Sequence, residues 1–290
     1  MELVHSPKIV TASQNNSAYY DSQNITGPGD PSFGKRILCE GDSWMSIGAI
    51  PSSNLLSPLK FAQSTLLLNL ATPGDTMKNM SDINSNPEFA KLICDNNFSY
   101  KWDAIFMSGG GNDLIDSIMQ IICPPSTGAG QNFLDYIDRI ELANFRKGLH
   151  NNFKTVSQLR DQSSKNKNTP LIVHVYDYPT PRNAKAKFLG AKFAGPWLLP
   201  ALKTHDVPEN FWISITDYVF EELGKALVDL ESILPNFHVI SATRGILTRA
   251  RLGTTEADGD WLNEIHPTAT GYSKLGVVIS HEIQSILNQS

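Results

Sequence analysis

The sequence has few cysteines, no excess of basic residues and no long hydrophobic run, and each absence excludes a class of protein. The three cysteines provide neither a disulfide framework nor zinc-ligand spacing, so we expect unreactive structural thiols at Cys39, Cys94 and Cys123. A net charge of −5 argues against a nucleic-acid partner. No apolar run approaches the roughly 20 residues of a membrane span, so no integral membrane segment is expected.

The chain is long enough to bury a large core, and its composition is that of an ordinary globular protein. Hydrophobic residues make up 41% and charged residues 18% of the 290 positions. Residues 1–34 are polar and rich in Ser, Asn, Gly and Pro, which predicts an N-terminal arm or tail. They lack the pattern of a Sec signal peptide, which favours a cytoplasmic protein or one exported by another route. Residues 35–290 are expected to form a single domain.

Short apolar runs alternate with longer amphipathic stretches. The runs predict buried parallel strands, which are apolar on both faces, at residues 36–40, 66–71, 104–107, 171–176 and 237–240. Apolar residues at helical spacing predict helices at 133–159, 211–234 and 269–287. The alternation predicts a three-layer α/β/α sandwich with a five-stranded parallel sheet, in a flavodoxin-like arrangement. A long loop at 179–208, rich in Gly and Pro, is expected to act as a lid or binding loop.

Polar motifs directly follow the first three predicted strands. They are Gly-Asp-Ser-Trp at 41–44, Gly-Asp-Thr at 74–76 and Gly-Gly-Gly-Asn-Asp at 109–113. Ligands of open α/β sheets bind outside the carboxyl ends of the strands. We therefore expect the three turns to lie along one edge of the sheet, at a ligand site.

These turns contain the parts of a nucleophilic site. Ser43 needs an adjacent base, and His266, on a turn followed by proline, is the candidate. The N–H groups of Ser43 and Gly74, with the side-chain amide of Asn112, are three donors for an oxyanion hole. Each motif alone is equally typical of a turn or a helix cap. Their joint occurrence, in order, indicates an acyl-transfer site.

At these residues the sequence resembles the SGNH/GDSL hydrolase family. The matching blocks are 41–44, with Trp instead of the common Leu, 69–76, 110–113 and 265–268, in the family's order. The pattern is similar to a bacterial branch that has Gly-Asp-Ser-Trp, Tyr-Asp-Tyr-Pro and Gly-Pro-Trp. The resemblance implies the SGNH fold over 35–290, Ser43 as nucleophile and His266 as base. It also implies an oxyanion hole formed by Ser43, Gly74 and Asn112, and no metal or organic cofactor.

One position departs from the family pattern. The family usually carries an Asp three residues before the His, where this sequence has Asn263. Asn263 orients the imidazole in one alternative, and Asp260 or, less readily, Glu264 supplies the carboxylate in another. In a third, the protein has little or no activity and uses the cleft to bind a glycan or lipid. An amide stabilises an imidazolium less well than a carboxylate does.

The resulting hypothesis is a serine hydrolase that cleaves an acyl or acetyl ester of a small molecule, lipid or glycan through an acyl-serine. Apolar residues in the 179–208 loop suggest a cap over an acyl chain: Phe188, Phe193, Trp197 and Leu198. A phosphate-binding protein is less well supported, because the sequence has neither a Walker lysine nor a Gly-x-Gly-x-x-Gly motif. His174 is either a core histidine or part of the cleft floor, and Asp42 is expected to brace the nucleophile turn.

Overall fold

The computed structural model describes residues 2–46, 53–126, 128–187 and 193–289, with the backbone alone at Lys187 and Phe193. Its strands are β1 (Lys8–Thr11), β2 (Lys35–Gly41), β3 (Thr65–Asn69), β4 (Ala104–Ser108), β5 (Leu171–His174), β6 (Ala186–Lys187), β7 (Phe193–Ala194) and β8 (Phe237–Ile240). Six of them form a parallel sheet in the order β1-β3-β2-β4-β5-β8. The other two, β6 and β7, form a small antiparallel pair within the 179–208 segment.

Helices cover both faces of the sheet. They are α1 (Ser17–Ser22), α2 (Met77–Ser81), α3 (Pro87–Cys94), α4 (Gly111–Ile121), α5 (Arg139–Gln162), α6 (Leu199–Thr204), α7 (Glu209–Asp229) and α8 (Ala269–Leu287). One layer consists of α2, α3, α4, α5 and α7, which contact one another. In the other layer, α8 receives hydrogen bonds from the backbone of Lys60 and Ala62. The predicted three-layer α/β/α sandwich is confirmed.

The central strands are apolar and buried because helices cover the sheet on both sides. Every residue of β3, β4 and β5 is buried. Cys39 lies in β2 and is fully buried, which raises the pKa of its thiol. Cys94 and Cys123 are partly buried, and all three cysteines are free thiols.

The sheet has six strands rather than the predicted five. The five predicted strands correspond to β2, β3, β4, β5 and β8, and the additional strand is β1 at the edge. It pairs in parallel with β3, with Lys8 opposite Leu66 and Val10 opposite Leu68. Of its four residues only Val10 is fully buried, so no long apolar run marked it in the sequence. Residues 8–11 therefore belong to the sheet and not to a tail.

Local capping sets where two of the predicted helices begin. α8 has the predicted bounds because the Thr268 hydroxyl accepts the Gly271 N–H at 3.1 Å, as an N-cap residue does. α5 begins at Arg139 rather than at 133, because the Asp138 carboxylate caps it by accepting two backbone N–H groups. In the described part of the chain, no helix is both long and apolar enough to cross a membrane.

Candidate active site

Ser43 and His266 meet at the carboxyl edge of the sheet. Ser43 lies on the turn after β2, and His266 lies 223 residues later, just before α8. The Ser43 Oγ and His266 Nε2 atoms are 2.7 Å apart, within hydrogen-bonding distance. Gly41 allows this turn to lie close to β4, because a Cβ there would come within 2.8 Å of the Ser108 carbonyl oxygen. The structure therefore brings together the serine and histidine that the sequence singled out.

Asn263 fixes the tautomer of the His266 ring. Its Oδ1 accepts the backbone N–H groups of Ile265 at 3.1 Å and His266 at 2.9 Å, which identifies this atom as the oxygen of the amide. The same oxygen lies 3.0 Å from His266 Nδ1. Nδ1 must then carry the ring proton and donate a hydrogen bond to Asn263. The Nε2 lone pair consequently faces the Ser43 hydroxyl, as general-base chemistry requires.

The imidazole of His266 is buried and neutral. Only 6% of the residue is exposed. Burial lowers the pKa of His266 to about 4, because a charged ring loses its hydration there. The ring is therefore unprotonated at neutral pH and able to accept a proton from Ser43.

Neither neighbouring carboxylate reaches His266. The Asp260 carboxylate binds the Lys274 ammonium at 2.6 Å and the Thr248 N–H at 2.6 Å. Glu264 uses both of its oxygens on backbone N–H groups of the 179–208 segment. Asn263 is thus the residue beside the imidazole, and the carboxylates of Asp260 and Glu264, weighed as the alternative, bind other groups.

The three predicted oxyanion donors lie on neighbouring turns. Asn112 Nδ2 donates to the Asp75 carbonyl oxygen at 2.8 Å, which joins the first turn of α4 to the turn containing Gly74 and leaves the second amide hydrogen available. Gly74 is exposed and has a φ of +82°, a conformation that favours glycine. Among the described residues, neither the Ser43 nor the Gly74 N–H donates a hydrogen bond to another protein group. Ser43 and Asn112 line the same cavity.

Asp42 braces the nucleophile turn from below. Its buried carboxylate accepts the Tyr176 hydroxyl at 2.5 Å, the Ser108 hydroxyl at 2.9 Å and the Trp44 N–H at 3.0 Å. Burial raises the pKa of Asp42 to about 6, and these hydrogen bonds oppose that rise. His174 is also buried, with its Nε2 3.0 Å from the Ser108 Oγ, so it belongs to this network beneath the site.

Arg182 and Glu264 join the 179–208 segment to the turn that carries His266. Arg182 is 1% exposed, and its guanidinium donates to the carbonyl oxygens of Asn263 at 2.7 Å and Trp261 at 3.2 Å. Glu264 is fully buried and accepts four backbone N–H groups, from Arg182, Trp197, Leu198 and Leu199. Burial raises the pKa of Glu264 to about 7, against the effect of these bonds. Sequence reasoning missed both roles, because a single sequence does not reveal which charged residues are buried.

The four apolar residues expected to form a cap do not lie together in one described surface. Leu198 is 1% exposed and belongs to the hydrophobic core, so its prediction as a cap residue is wrong. Trp197 lies beside the site, with its ring centroid 5.5 Å from that of His266. Phe188 lies outside the described residues, and the Phe193 side chain is likewise not described.

Comparison with known proteins establishes the fold. Neither a family model nor a curated protein matches the sequence. Among solved structures, the lipase Lip_vut3 from a goat rumen metagenome matches with a TM-score of 0.51 at 15% identity, over 85% of this chain and 96% of that one. The fold is that of the SGNH-type lipases and esterases.

A second solved structure is less similar. A family 3 carbohydrate esterase from Clostridium thermocellum matches with a TM-score of 0.45 at 12% identity, over 88% of this chain and 98% of that one.

Among the described residues, no group of three or more His, Cys, Asp or Glu side chains is arranged to hold a metal ion.

Proposed function

We propose that the protein is a serine hydrolase that cleaves a carboxylic ester through an acyl-Ser43 intermediate. The observation that carries the proposal is the 2.7 Å contact between Ser43 Oγ and a His266 ring whose Nδ1 is held by Asn263. That arrangement presents an unprotonated nitrogen to the hydroxyl, which a serine requires to become a nucleophile. The shared fold of SGNH-type lipases and esterases supports this class of reaction.

The reaction proceeds in two steps. The Ser43 oxygen attacks the ester carbonyl carbon while His266 Nε2 takes the hydroxyl proton, and the carbonyl oxygen becomes an oxyanion. The N–H groups of Ser43 and Gly74 and the Asn112 amide stabilise this charge. His266 then returns the proton to the leaving alcohol, and the acyl-serine remains. A water molecule, deprotonated by His266, attacks the acyl carbon and releases the acid and Ser43.

Asn263 orients the ring but contributes no negative charge. Its Oδ1 accepts a hydrogen bond from Nδ1–H and so keeps the proton on Nδ1, as the carboxylate of a Ser-His-Asp site does. The imidazolium formed during attack is therefore less stabilised than it would be beside a carboxylate. This neutral partner also favours the alternative function, an SGNH-fold protein of weak or no activity that binds a glycan or lipid ester in the same cleft.

Hydrolysis of p-nitrophenyl acetate by matched serine variants tests the proposal. We expect Ser43→Ala to lower kcat/KM at least about a thousandfold, because the nucleophile is gone. Ser46→Ala is the control, since Ser46 lies on the same turn and its Oγ has no hydrogen-bond partner among the described residues. It should retain wild-type activity. Equal activity of Ser43→Ala and wild type, with both folded by circular dichroism, would refute the hydrolase.

A further inference from the structure

The cavity beside Ser43 is small. Its volume is about 20 Å³, close to the space that one water molecule or one methyl group occupies. Ser43 and Asn112 are among the residues that line it. Its apolar walls come from three parts of the fold, namely Ile115 on α4, Phe220 on α7 and Pro179 after β5. Separate elements of the sandwich thus border the space next to the nucleophile.

The position of the cavity identifies which part of an ester enters it. When Ser43 attacks, the carbonyl oxygen points to Asn112 and the leaving oxygen must lie near His266 Nε2, which protonates it. Among the described residues, Ser43 and Asn112 border the cavity, whereas Gly74, the third oxyanion donor, and His266 do not. The oxyanion, shared with Gly74, and the leaving oxygen, beside His266, therefore lie to the side of the cavity. The third substituent of the carbonyl carbon, the acyl chain, is the one that the cavity receives.

The walls of the cavity are held by hydrogen bonds. The Tyr176 hydroxyl binds Asp42, and the Trp44 indole N–H binds the Ile265 carbonyl oxygen at 3.1 Å. The Asp177 carboxylate, which also borders the cavity, accepts three backbone N–H groups. Rotation of these side chains would break buried hydrogen bonds, so the cavity does not enlarge easily. The Tyr176 hydroxyl and the Asp42 and Asp177 carboxylates are paired within the protein, whereas Trp261 Nε1 has no hydrogen-bond partner among the described residues. The apolar walls suit a methyl group.

We propose that the protein acts on acetyl esters, with Ile115 and Phe220 as the residues that exclude longer acyl chains. The inference rests on the proposed function and specifies its substrate class. It specifies the length of the acyl chain, which the sequence left open. Each additional methylene in a pocket of fixed size changes kcat/KM by about 10- to 200-fold. Acetyl esters should therefore be preferred over butyryl esters at least tenfold.

A chain-length series tests this specificity. Wild type, Ile115→Ala and the milder Phe220→Leu are assayed with p-nitrophenyl acetate, butyrate and octanoate. We expect wild type to prefer acetate, and the two variants to raise the ratio of butyrate to acetate kcat/KM at least tenfold. Met119→Ala on α4 and Val228→Ala on α7 change exposed side chains of the same helices and should leave that ratio unchanged.

The outcomes separate the inference from the proposed function. Hydrolysis of octanoate by wild type as efficient as that of acetate, dependent on Ser43, would overturn the acetyl specificity and leave the hydrolase intact. An unchanged ratio in both folded variants would overturn the roles of Ile115 and Phe220. If wild type hydrolyses none of the three esters through Ser43, the hydrolase proposal fails and the inference fails with it.

Discussion

The two turns that meet at the site are held by different kinds of contact. The nucleophile turn, residues 41–46, carries its own anchor, since the Asp42 carboxylate binds groups at the ends of β4 and β5. The histidine turn, residues 260–268, is anchored by a separate loop. Arg182 donates to its carbonyl oxygens, and its Glu264 accepts N–H groups from residues 182–199. The position of Ser43 thus depends on the sheet, whereas the position of His266 depends on the 179–208 segment.

Because their anchors differ, we expect the two turns to respond differently to substitution. A turn braced by the sheet edge moves only if the core rearranges, because cores are close-packed. A turn held by a loop moves whenever the loop contacts weaken. We therefore expect damage to the first anchor to reduce stability and damage to the second to reduce turnover. Variants at Asp42, Glu264 and Asn263 test this contrast, in decreasing order of expected effect.

Removal of the Asp42 carboxylate should have the largest effect. Asp42→Ala leaves the buried Tyr176 and Ser108 hydroxyls without their acceptor, and each unsatisfied group costs about 1–3 kcal/mol. We expect the free energy of unfolding, measured by urea titration, to fall by about 3 kcal/mol. Asp42→Asn keeps an acceptor and should lose less than half as much. Equal losses in the two variants would contradict the role of the carboxylate as a hydrogen-bond acceptor.

Substitution of Glu264 should lower turnover, and the two buried N–H groups that lose their acceptor should lower stability as well. Glu264→Gln replaces one carboxylate oxygen, which accepts two N–H groups, by an NH2 group that cannot accept them, and the loop contact beside His266 weakens. A small displacement of a general base costs up to about a hundredfold in rate, so we expect kcat for p-nitrophenyl acetate to fall about 10- to 100-fold.

Glu256→Gln is the matched control for this change. Glu256 precedes the histidine turn, and only its backbone carbonyl binds Arg182, while its side chain is exposed. It should behave as wild type. A fall in kcat of the same size in both variants, or none in Glu264→Gln, would show that the loop contact does not position His266.

The third substitution sharpens the comparison by adding a charge to the histidine turn. Burial lowers the pKa of His266 to about 4, and protonation below that pH removes the base, so kcat/KM should fall on the acid side near pH 4. In Asn263→Asp the adjacent carboxylate favours the imidazolium and raises this pKa. The acid limb of the pH profile should move upward, and kcat at pH 8 should rise about tenfold. An acid limb that stays in place or moves downward would contradict the assignment of His266 as the base.

The sequence predicted the nucleophile side of the site better than the histidine side. Ser43, Gly74 and Asn112 lie in short motifs directly after apolar strands, so local pattern and sheet topology together brought them to one edge. The anchors of His266 lie about 80 residues apart, and no local periodicity connects Arg182 to Glu264. Which residue lies beside the imidazole, Asn263 or Asp260, likewise could not be predicted, because it depends on the contact between Lys274 and the Asp260 carboxylate. The edge strand β1 was missed for a similar reason, since one neighbouring strand buries only Val10.

Covalent labelling of the protein with a fluorophosphonate tests the central claim most directly. The reagent reacts with a serine hydroxyl that a neighbouring base activates, and peptide mass spectrometry locates the adduct. We predict stoichiometric labelling of Ser43 in wild type, none in Ser43→Ala and much slower labelling in His266→Ala. An unlabelled wild-type protein, or an adduct on a different serine, would contradict the account.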